Sequence, residues 1–123
     1  MNGGSPKRTG SLGEEIACEA LTRRGYHILA RNWRCPQGEI DIVARDGACW
    51  VFVEVKTRRG HRVEPPEEGL GESQLARLSE LAATYLGEHD IGEVDWRIDL
   101  VAIELGADDR VMRLHVLPAL TAD

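Results

Sequence analysis

Hydrophobic residues recur along the chain with two periods, one typical of helices and one typical of strands. Near the N-terminus, an apolar stripe at helical spacing is formed by Leu12, Ile16, Ala17, Ala20 and Leu21. A second stripe of the same kind lies in the C-terminal half, at Leu75, Leu78, Ala82 and Tyr85. Alternating or continuous apolar runs elsewhere predict strands. The predicted elements are helices over Ser11–Arg24 and Ser73–Leu86, and strands over Tyr26–Arg34, Glu39–Arg45, Cys49–Lys56, Glu93–Glu104 and Val111–Leu117.

The order of these elements, α-β-β-β-α-β-β, predicts one α/β domain in which a mixed sheet is flanked by helices. The length of 123 residues fits a single domain. Residues 1–9 show no apolar periodicity, so we expect a disordered N-terminal segment before a domain spanning 10–120. The stretch from Glu64 to Glu72 is rich in Glu, Pro and Gly and predicts a flexible acidic loop.

Residues typical of helix ends flank both predicted helices. Ser11 and Glu14 have the spacing of a capping box, which gives Glu14 a structural role at the start of the first helix. Gly25 suits the position just after that helix. For the second helix, Ser73 is the predicted N-cap, and Gly87 is the predicted residue after the last turn.

Two strands in the middle of the chain are joined by a dipeptide, Asp46-Gly47, that favours a tight type I′ hairpin turn. If these two residues form the loop, Asp41 faces Phe52 and Glu39 faces Glu54. Asp41 and Glu54 are then diagonal neighbours. This register places four polar residues on one face of the hairpin: Glu39, Asp41, Glu54 and Lys56.

Three carboxylates on one strand face would repel each other and raise each other's pKa. A divalent cation such as Mg²⁺ removes this conflict, because it takes oxygen ligands and keeps several waters. Lys56 beside the cation could hold a water or neutralise charge on a phosphate. For each residue alone, a solvated strand face is the simpler interpretation. For the four residues taken together, the flanking Ile, Val, Trp and Phe residues favour a partly buried face of the sheet. Unbalanced charge in such a place is costly.

The net charge of −6 argues against a nucleic-acid-binding protein when the chain is taken as a whole. The charge is divided unevenly, however: residues 1–62 carry +4 and residues 63–123 carry −10. The basic half also contains the hairpin, as expected of a phosphate-binding face. Within it, Arg31 and Arg34 flank Trp33, and Arg58 and Arg59 follow the second hairpin arm. We expect these four arginines to contact nucleic-acid phosphates, whereas Trp33 is predicted to pack in the core.

The cysteines, the lack of a long apolar run and a single aspartate give further information. The cysteines, Cys18, Cys35 and Cys49, have neither the number nor the spacing of a disulfide framework or a zinc site. The chain has no apolar run long enough for a membrane span and no apolar N-terminal stretch, so we expect a cytoplasmic protein without membrane contact. Asp99 interrupts an apolar run, and a buried aspartate needs a partner. The candidates for that partner are an arginine of the basic stretch Thr57–Arg62, which follows the second hairpin arm, and the cluster of polar residues on the hairpin face.

Several motifs together resemble a known family. Asp41, followed by Glu54-Val55-Lys56, resembles the PD-(D/E)xK nuclease signature, with Ile40 in place of proline. The wider pattern resembles the uncharacterised bacterial YraN-type family, which is similar to archaeal Holliday-junction resolvases. This pattern comprises Gly10-x-x-Gly13-Glu14, Gly25-Tyr26, Arg31-Asn32-Trp33-Arg34, Gly38-Glu39-Ile40-Asp41 and Phe52 to Arg58.

This resemblance implies a restriction-endonuclease-like core and a metal-dependent nuclease that acts on DNA, such as branched recombination DNA. It implies Mg²⁺ or Mn²⁺ held by Asp41 and Glu54, with Glu14 and Glu39 assisting. Asp41, Glu54, Glu14 and Lys56 would be the catalytic residues. A homodimer would supply the two sites that a two-fold branched substrate needs. The chain departs from the family pattern before the second helix, where Gly71-Glu72-Ser73-Gln74 replaces a segment with lysine.

Two other functions remain open at this stage. The acidic second half and the missing lysine favour a nucleic-acid-binding module without catalytic turnover. Alternatively, the acidic cluster is a solvated face of a structural or adaptor protein.

Overall fold

The computed structural model describes residues 6–60 and 71–120. Within them lie two helices, five strands and a short 3₁₀ turn, in the order α-β-β-β-α-β-β that the sequence predicted. The elements are α1 (Pro6–Arg23), β1 (His27–Cys35), β2 (Gly38–Asp46), β3 (Cys49–Arg59), α2 (Glu72–Glu88), β4 (Trp96–Leu105), the turn Ala107–Asp109 and β5 (Val111–Leu120). Residues 1–5 of the expected N-terminal segment, and most of the acidic loop Glu64–Glu72, lie outside the described residues.

The five strands form one mixed sheet in the order β1-β2-β3-β4-β5. β3 and β4 are parallel, and the other neighbouring pairs are antiparallel. β5 lies at an edge of the sheet and continues through Pro118 to Leu120; proline is tolerated in an edge strand although it cannot donate a ladder hydrogen bond. The α/β class and the mixed sheet predicted from the sequence are confirmed.

The two helices cover opposite faces of the sheet and create two apolar layers. Alternate residues of β3 separate these layers: Val51 and Val53 pack with α1, and Phe52 packs with α2. The α2 layer contains aromatic side chains, among them Trp33, which packs edge-to-face against Tyr85 at 5.3 Å between ring centroids, as predicted for a core residue. Neither helix of the described chain combines the length and apolar character that crossing a membrane requires.

The first helix starts earlier than its capping signal indicated. Because α1 begins at Pro6, Ser11 lies inside the helix, so the predicted capping box with Glu14 is wrong. The end of α1 follows the prediction: Gly25 has φ of +94°, and Tyr26 N–H donates to the Leu21 carbonyl at 3.0 Å. Together with the bond from the Gly25 N–H, this is a Schellman motif.

Both predicted ends of the second helix are wrong. Gly71, not Ser73, is the N-cap of α2, and no side chain caps it. The helix continues through Gly87 to Glu88, since a glycine inside a helix costs only about 1 kcal/mol. Asp90, with φ of +53°, takes the left-handed position, and Ile91 N–H donates to the Leu86 carbonyl at 3.1 Å.

The hairpin register differs from the prediction by one residue on each arm. Asp46 pairs with Cys49, so the two loop residues are Gly47 and Ala48. Gly47 has φ of +64°, whereas Ala48 does not share a positive φ, as in a type II′ turn that demands glycine only at its first position. This register brings Glu54, rather than Phe52, level with Asp41.

Asp99 is fully buried, as the apolar run around it suggested, and its partners come from elsewhere than the basic stretch. Its Oδ1 accepts a hydrogen bond from Arg97 Nε at 2.9 Å, and its Oδ2 accepts one from the Tyr26 hydroxyl at 2.8 Å. Arg97 Nη2 also donates to Tyr26 at 2.6 Å and to Asp46 at 3.0 Å. These four residues, which we call the Arg97 network, tie β4 to the hairpin turn and to the end of α1.

Candidate functional site

The candidate site begins where β2 and β3 separate. Their pairing runs from Asp46–Cys49 to Ile42–Val53 and stops one residue short of Asp41. There the Asp41 side chain replaces a backbone partner, because its Oδ2 accepts the Val55 N–H at 2.8 Å. One carboxylate oxygen of Asp41 is thereby fixed against β3.

A local twist of the sheet turns Asp41 away from both apolar layers. Ile40 packs with α2 and Ile42 packs with α1, although residues two apart in a regular strand share a face. Across from Asp41, Asn32 lies between the Arg31–Ile42 and Trp33–Ile40 pairs and has φ of +54°. Because β1 and β2 are both irregular at this point, the side chain of Asp41 does not have to enter an apolar layer.

Asp41 lies in a cleft of about 570 Å³ at this end of the sheet. α1 contributes Thr9, Gly10 and Glu14, and β3 contributes the stretch Glu54–Arg59. A close approach of α1 to β3 forms one wall, since a Cβ at the buried Gly13 would overlap the Thr57 hydroxyl and lie 3.0 Å from Thr57 Cβ. The structure thus brings together four predicted residues: Glu14, Asp41, Glu54 and Lys56.

Burial is the main cause that raises the pKa of Asp41 to about 7. The Val55 N–H opposes this shift, because it stabilises the carboxylate. The negative charges of Glu54, Glu14 and Glu39 raise the pKa further. Near neutral pH, Asp41 is therefore balanced between its protonated and ionised forms.

The Glu54 carboxyl also has a raised pKa, again chiefly through burial. Lys56 and Arg77 oppose the shift by their charge, and hydrogen bonds with Asp41 and Gln74 oppose it as well. Gln74 Nε2 donates to Glu54 Oε2 at 3.0 Å, and Lys56 Nζ lies 3.9 Å from the same oxygen. Lys56 is thus next to the carboxylates, as predicted.

The oxygen donors of the cleft fit a divalent cation that keeps most of its water ligands. Within residues 6–60 and 71–120, no three His, Cys, Asp or Glu side chains are grouped closely enough to hold an ion together. Mg²⁺ needs only one or two carboxylates, because waters and substrate phosphates complete its shell. Asp41 and Glu54 meet this requirement: each is anchored through one oxygen, and each has a pKa that a nearby cation would lower.

Glu39 lies apart from this pair. It is exposed, does not line the cleft, and forms an ion pair with Arg34 at 3.0 Å. Its influence is limited to a small electrostatic contribution to the raised pKa of Asp41.

The model of the family described as "Uncharacterised protein family UPF0102" matches residues 13–103. The chain belongs to the UPF0102 family. It is 45% identical over 116 residues to a UPF0102 protein of Roseiflexus castenholzii, covering 94% of each chain. It is 49% identical over 94 residues to one of Beutenbergia cavernae, covering 76% of this chain and 80% of the relative. The family resemblance inferred from the motifs is confirmed.

The four arginines expected to bind nucleic acid occupy different environments in this UPF0102 protein. Arg58 and Arg59 line the cleft. Arg59 is already engaged there, since its Nε donates to Thr9 Oγ1 at 2.9 Å and its Nη2 lies 2.6 Å from Asp109 Oδ1. Arg31 and Arg34 are exposed on the edge strand β1 and do not line the cleft.

Sequence reasoning missed some contributors to the site. Arg77 acts electrostatically on Glu54 from α2, and Thr9, Gly10 and Thr57 line the cleft. Arg77 follows Gln74 by three residues, so helical spacing could have placed both near one point. Thr9 and Gly10 could not have been found in this way, because no pattern in the sequence indicates that α1 begins before Ser11.

Proposed function

We propose that this protein is a metal-dependent endonuclease of the PD-(D/E)xK, resolvase-like kind, which hydrolyses phosphodiester bonds in DNA. One observation carries the proposal. Two interacting, largely buried carboxyls, Asp41 and Glu54, lie beside Lys56 in a cleft that Arg58 and Arg59 also line. A buried pair of like charges is costly for the fold, and such clusters are concentrated at functional sites.

The residues of the cleft would have different roles in cleavage. Asp41 and Glu54 would hold Mg²⁺ or Mn²⁺, with Glu14 assisting from α1. When bound, such an ion lowers the pKa of a water ligand and stabilises charge on phosphate oxygens. Lys56 orients the attacking water or offsets the charge that develops on the phosphate. Arg58, which lines the cleft, would contact the DNA backbone beside the cleaved bond.

The helix ends support an anionic substrate. Thr9 and Gly10, near the start of α1, line the cleft, and Gln74, in the first turn of α2, reaches Glu54. The N-terminal parts of both helices, where the helix dipole is positive, therefore lie near the same region. Their charge offsets part of the carboxylate charge and favours a phosphate.

Cleavage assays on purified mutants test the proposal. Asp41→Ala and Lys56→Ala are expected to abolish cleavage of DNA with Mg²⁺ or Mn²⁺ while leaving the circular dichroism spectrum unchanged. Glu15→Gln, on the exposed side of α1 beside Glu14, is the matched control and should cleave like the parent. Equal cleavage by the parent and both alanine mutants would show that the residues have been misassigned.

The substrate set makes the assay more informative. Four-way junctions, linear duplexes, single strands and RNA should be compared at equal concentration. Preferential cutting of the junction would support the resolvase-like substrate and the homodimer that a two-fold junction requires. Sedimentation of the protein with and without the junction would check the dimer.

A nucleic-acid-binding module without turnover is the second candidate. It is favoured by the absence of a three-ligand group within the described residues and by the engagement of Glu54 Oε2 with Gln74. Binding that weakens with salt, without cleavage in either metal, would support it. An anomalous Mn²⁺ peak beside Asp41 and Glu54 would favour the nuclease, and an empty site in millimolar Mn²⁺ would favour an adaptor protein.

A further inference from the structure

The two cleft carboxylates are each anchored through a single oxygen. Asp41 is held by the Val55 backbone N–H, at 2.8 Å from Oδ2. Glu54 is held by the Gln74 side-chain amide, at 3.0 Å from Oε2. Neither anchor occupies the second oxygen, Oδ1 of Asp41 or Oε1 of Glu54.

The two anchors differ in kind. The Asp41 anchor is part of the backbone and does not depend on which side chain stands at position 55. The Glu54 anchor is one side chain from a different element, 20 residues further along the chain. Lys56 Nζ lies near the same Oε2 at 3.9 Å, a distance that allows electrostatic attraction but no hydrogen bond. Glu54 also hydrogen-bonds with Asp41, so Gln74 is the donor from outside the carboxyl pair that orients the Glu54 carboxylate.

The position of Gln74 is set by the core. It lies in the first turn of α2, and Leu78, one turn later on the same face, is only 2% exposed. Leu78 and Leu81 pack in the α2 apolar layer with Ile40, the residue that precedes Asp41. The packing that seats α2 on the sheet therefore also determines where the Gln74 amide meets Glu54.

We infer that Gln74 is a positioning residue for the cation site: its hydrogen bond to Oε2 of Glu54 orients the carboxylate so that its other oxygen, together with Asp41, faces the ion. This inference rests on the proposed function, because it assumes that Asp41 and Glu54 bind a divalent cation. It assigns a role to the segment where this chain departs from the lysine of the family pattern. Outer hydrogen-bond partners of metal ligands typically contribute 10–100-fold to metal affinity.

Mn²⁺ binding to the purified, substrate-free chain tests the inference. Mn²⁺ would be titrated and its free fraction followed by electron paramagnetic resonance. Gln74→Leu keeps the size of the side chain but removes the donor, so the Kd for Mn²⁺ should rise about 10–100-fold. Gln74→Asn keeps the amide but shortens its reach by one methylene and should raise the Kd in the same direction. Ser73→Ala, at an exposed neighbouring position in the same turn, should bind Mn²⁺ like the parent.

Two further readouts separate positioning from general support of the fold. The urea midpoint of each Gln74 variant should stay near that of the parent, since only one partly exposed hydrogen bond is lost. If cleavage is measured as well, saturating Mn²⁺ should restore most of the kcat of Gln74→Leu, and the KM for DNA should not change. A merely structural role would lower the urea midpoint and would not be corrected by added metal.

The outcomes distinguish this inference from the function on which it rests. If the Kd for Mn²⁺ of Gln74→Leu and of Gln74→Asn lies within about twofold of the parent value, the positioning role is overturned and the nuclease proposal stays intact. A parent that does not bind Mn²⁺, or binds it equally well after Asp41→Ala, overturns the proposed metal site and the inference together.

Discussion

Two groups of buried charges lie in this sheet, and they differ in how their charge is balanced. In the Arg97 network, the fully buried Asp99 meets an arginine and a tyrosine hydroxyl within hydrogen-bond distance. In the cleft, Asp41 and Glu54 lie beside each other: the charge of Glu54 raises the pKa of Asp41, whereas a hydrogen bond with Asp41 lowers the pKa of Glu54. One group contains its own counter-charge, whereas the other is short of positive charge.

The pKa shifts express this difference. Burial alone would lower the pKa of Arg97, but hydrogen bonds with Asp99 and Asp46 raise it, so the guanidinium stays charged. In the cleft, burial and like charges raise the pKa of Asp41 to about 7. The charges of the Arg97 network are balanced without a ligand, whereas the negative charge of the cleft is balanced by a proton or a cation. For this reason we assign structure to the first group and function to the second.

The largest expected effect comes from breaking the network. Asp99→Asn removes the negative charge that balances Arg97 while keeping the size of the side chain. Loss of one partner from a buried ion pair typically costs about 3–5 kcal/mol, so the free energy of unfolding should fall by about this amount. Urea denaturation followed by circular dichroism measures it.

The same mutant checks the division of roles. At a temperature where Asp99→Asn is folded, its Mn²⁺ affinity should match that of the parent, because none of the residues in the Arg97 network lines the cleft. A mutant of unchanged stability would contradict the structural role of the Arg97 network, and strongly weakened Mn²⁺ binding would show that the two regions are not independent.

A mutation in the cleft should act in the opposite direction. The pKa of Asp41 rises from 3.8 to about 7 on folding, so between these values the folded chain holds a proton that the unfolded chain has released. Stability contributed by that proton is present at low pH and is lost as the pH rises toward 7. Asparagine at this position cannot ionise, so Asp41→Asn does not lose stability as the pH rises. In metal-free buffer it should match the parent at pH 4 and exceed it by about 2–4 kcal/mol at pH 8.

Urea denaturation in the presence of EDTA at several pH values measures the difference between the two proteins. Added Mn²⁺ should stabilise the parent and leave Asp41→Asn unchanged, since a ligand that binds only the folded state stabilises it by mass action. A parent that is the more stable of the two at pH 8 without metal would contradict the idea that the cleft is short of positive charge.

The arrangement of elements could be predicted from the sequence because it depends on local periodicity. Helical stripes such as Leu78–Ala82 and the alternation of Val51, Phe52 and Val53 specify both the element and the face that it buries. These signals are contained within a few residues, so no long-range information was required.

Features that depend on competing local choices were predicted less well. Asp46-Gly47 fits a type I′ turn, but Asp46 pairs with Cys49 and also contacts Arg97, 51 residues away. This distant contact favours keeping Asp46 in the ladder, and nothing near the turn in the sequence signals it. The partners of Asp99 were missed for the same reason, because Tyr26 lies 73 residues from it.

Much of the candidate site could be anticipated, since Asp41, Glu54 and Lys56 stand on adjacent strands. The sequence correctly associated them, and the corrected register brings Glu54 still closer to Asp41. Glu39 was grouped with them by strict alternation, which the twist between Ile40 and Ile42 interrupts. Gln74 required knowledge of how α2 sits on the sheet, which a single sequence does not contain.

The smallest expected effect concerns α1, whose two ends are attached to the sheet in different ways. At the network end, Tyr26 attaches it through hydrogen bonds; at the cleft end, Gly13 allows direct backbone approach to Thr57. Gly13→Ala adds a methyl group that would overlap the Thr57 hydroxyl and lie 3.0 Å from Thr57 Cβ, an atom that side-chain rotation does not move. The helix must shift, at a cost of about 1–3 kcal/mol.

Because Glu14 adjoins Gly13, the shift should also weaken Mn²⁺ binding by several-fold. Tyr26→Phe is the matched control: it loses two hydrogen bonds and about 1–3 kcal/mol at the other end of α1. Its Mn²⁺ affinity should be unchanged. Equal Mn²⁺ affinity in Gly13→Ala and Tyr26→Phe would mean that the placement of α1 over the cleft does not matter for the ion, and that Glu14 contributes nothing to holding it.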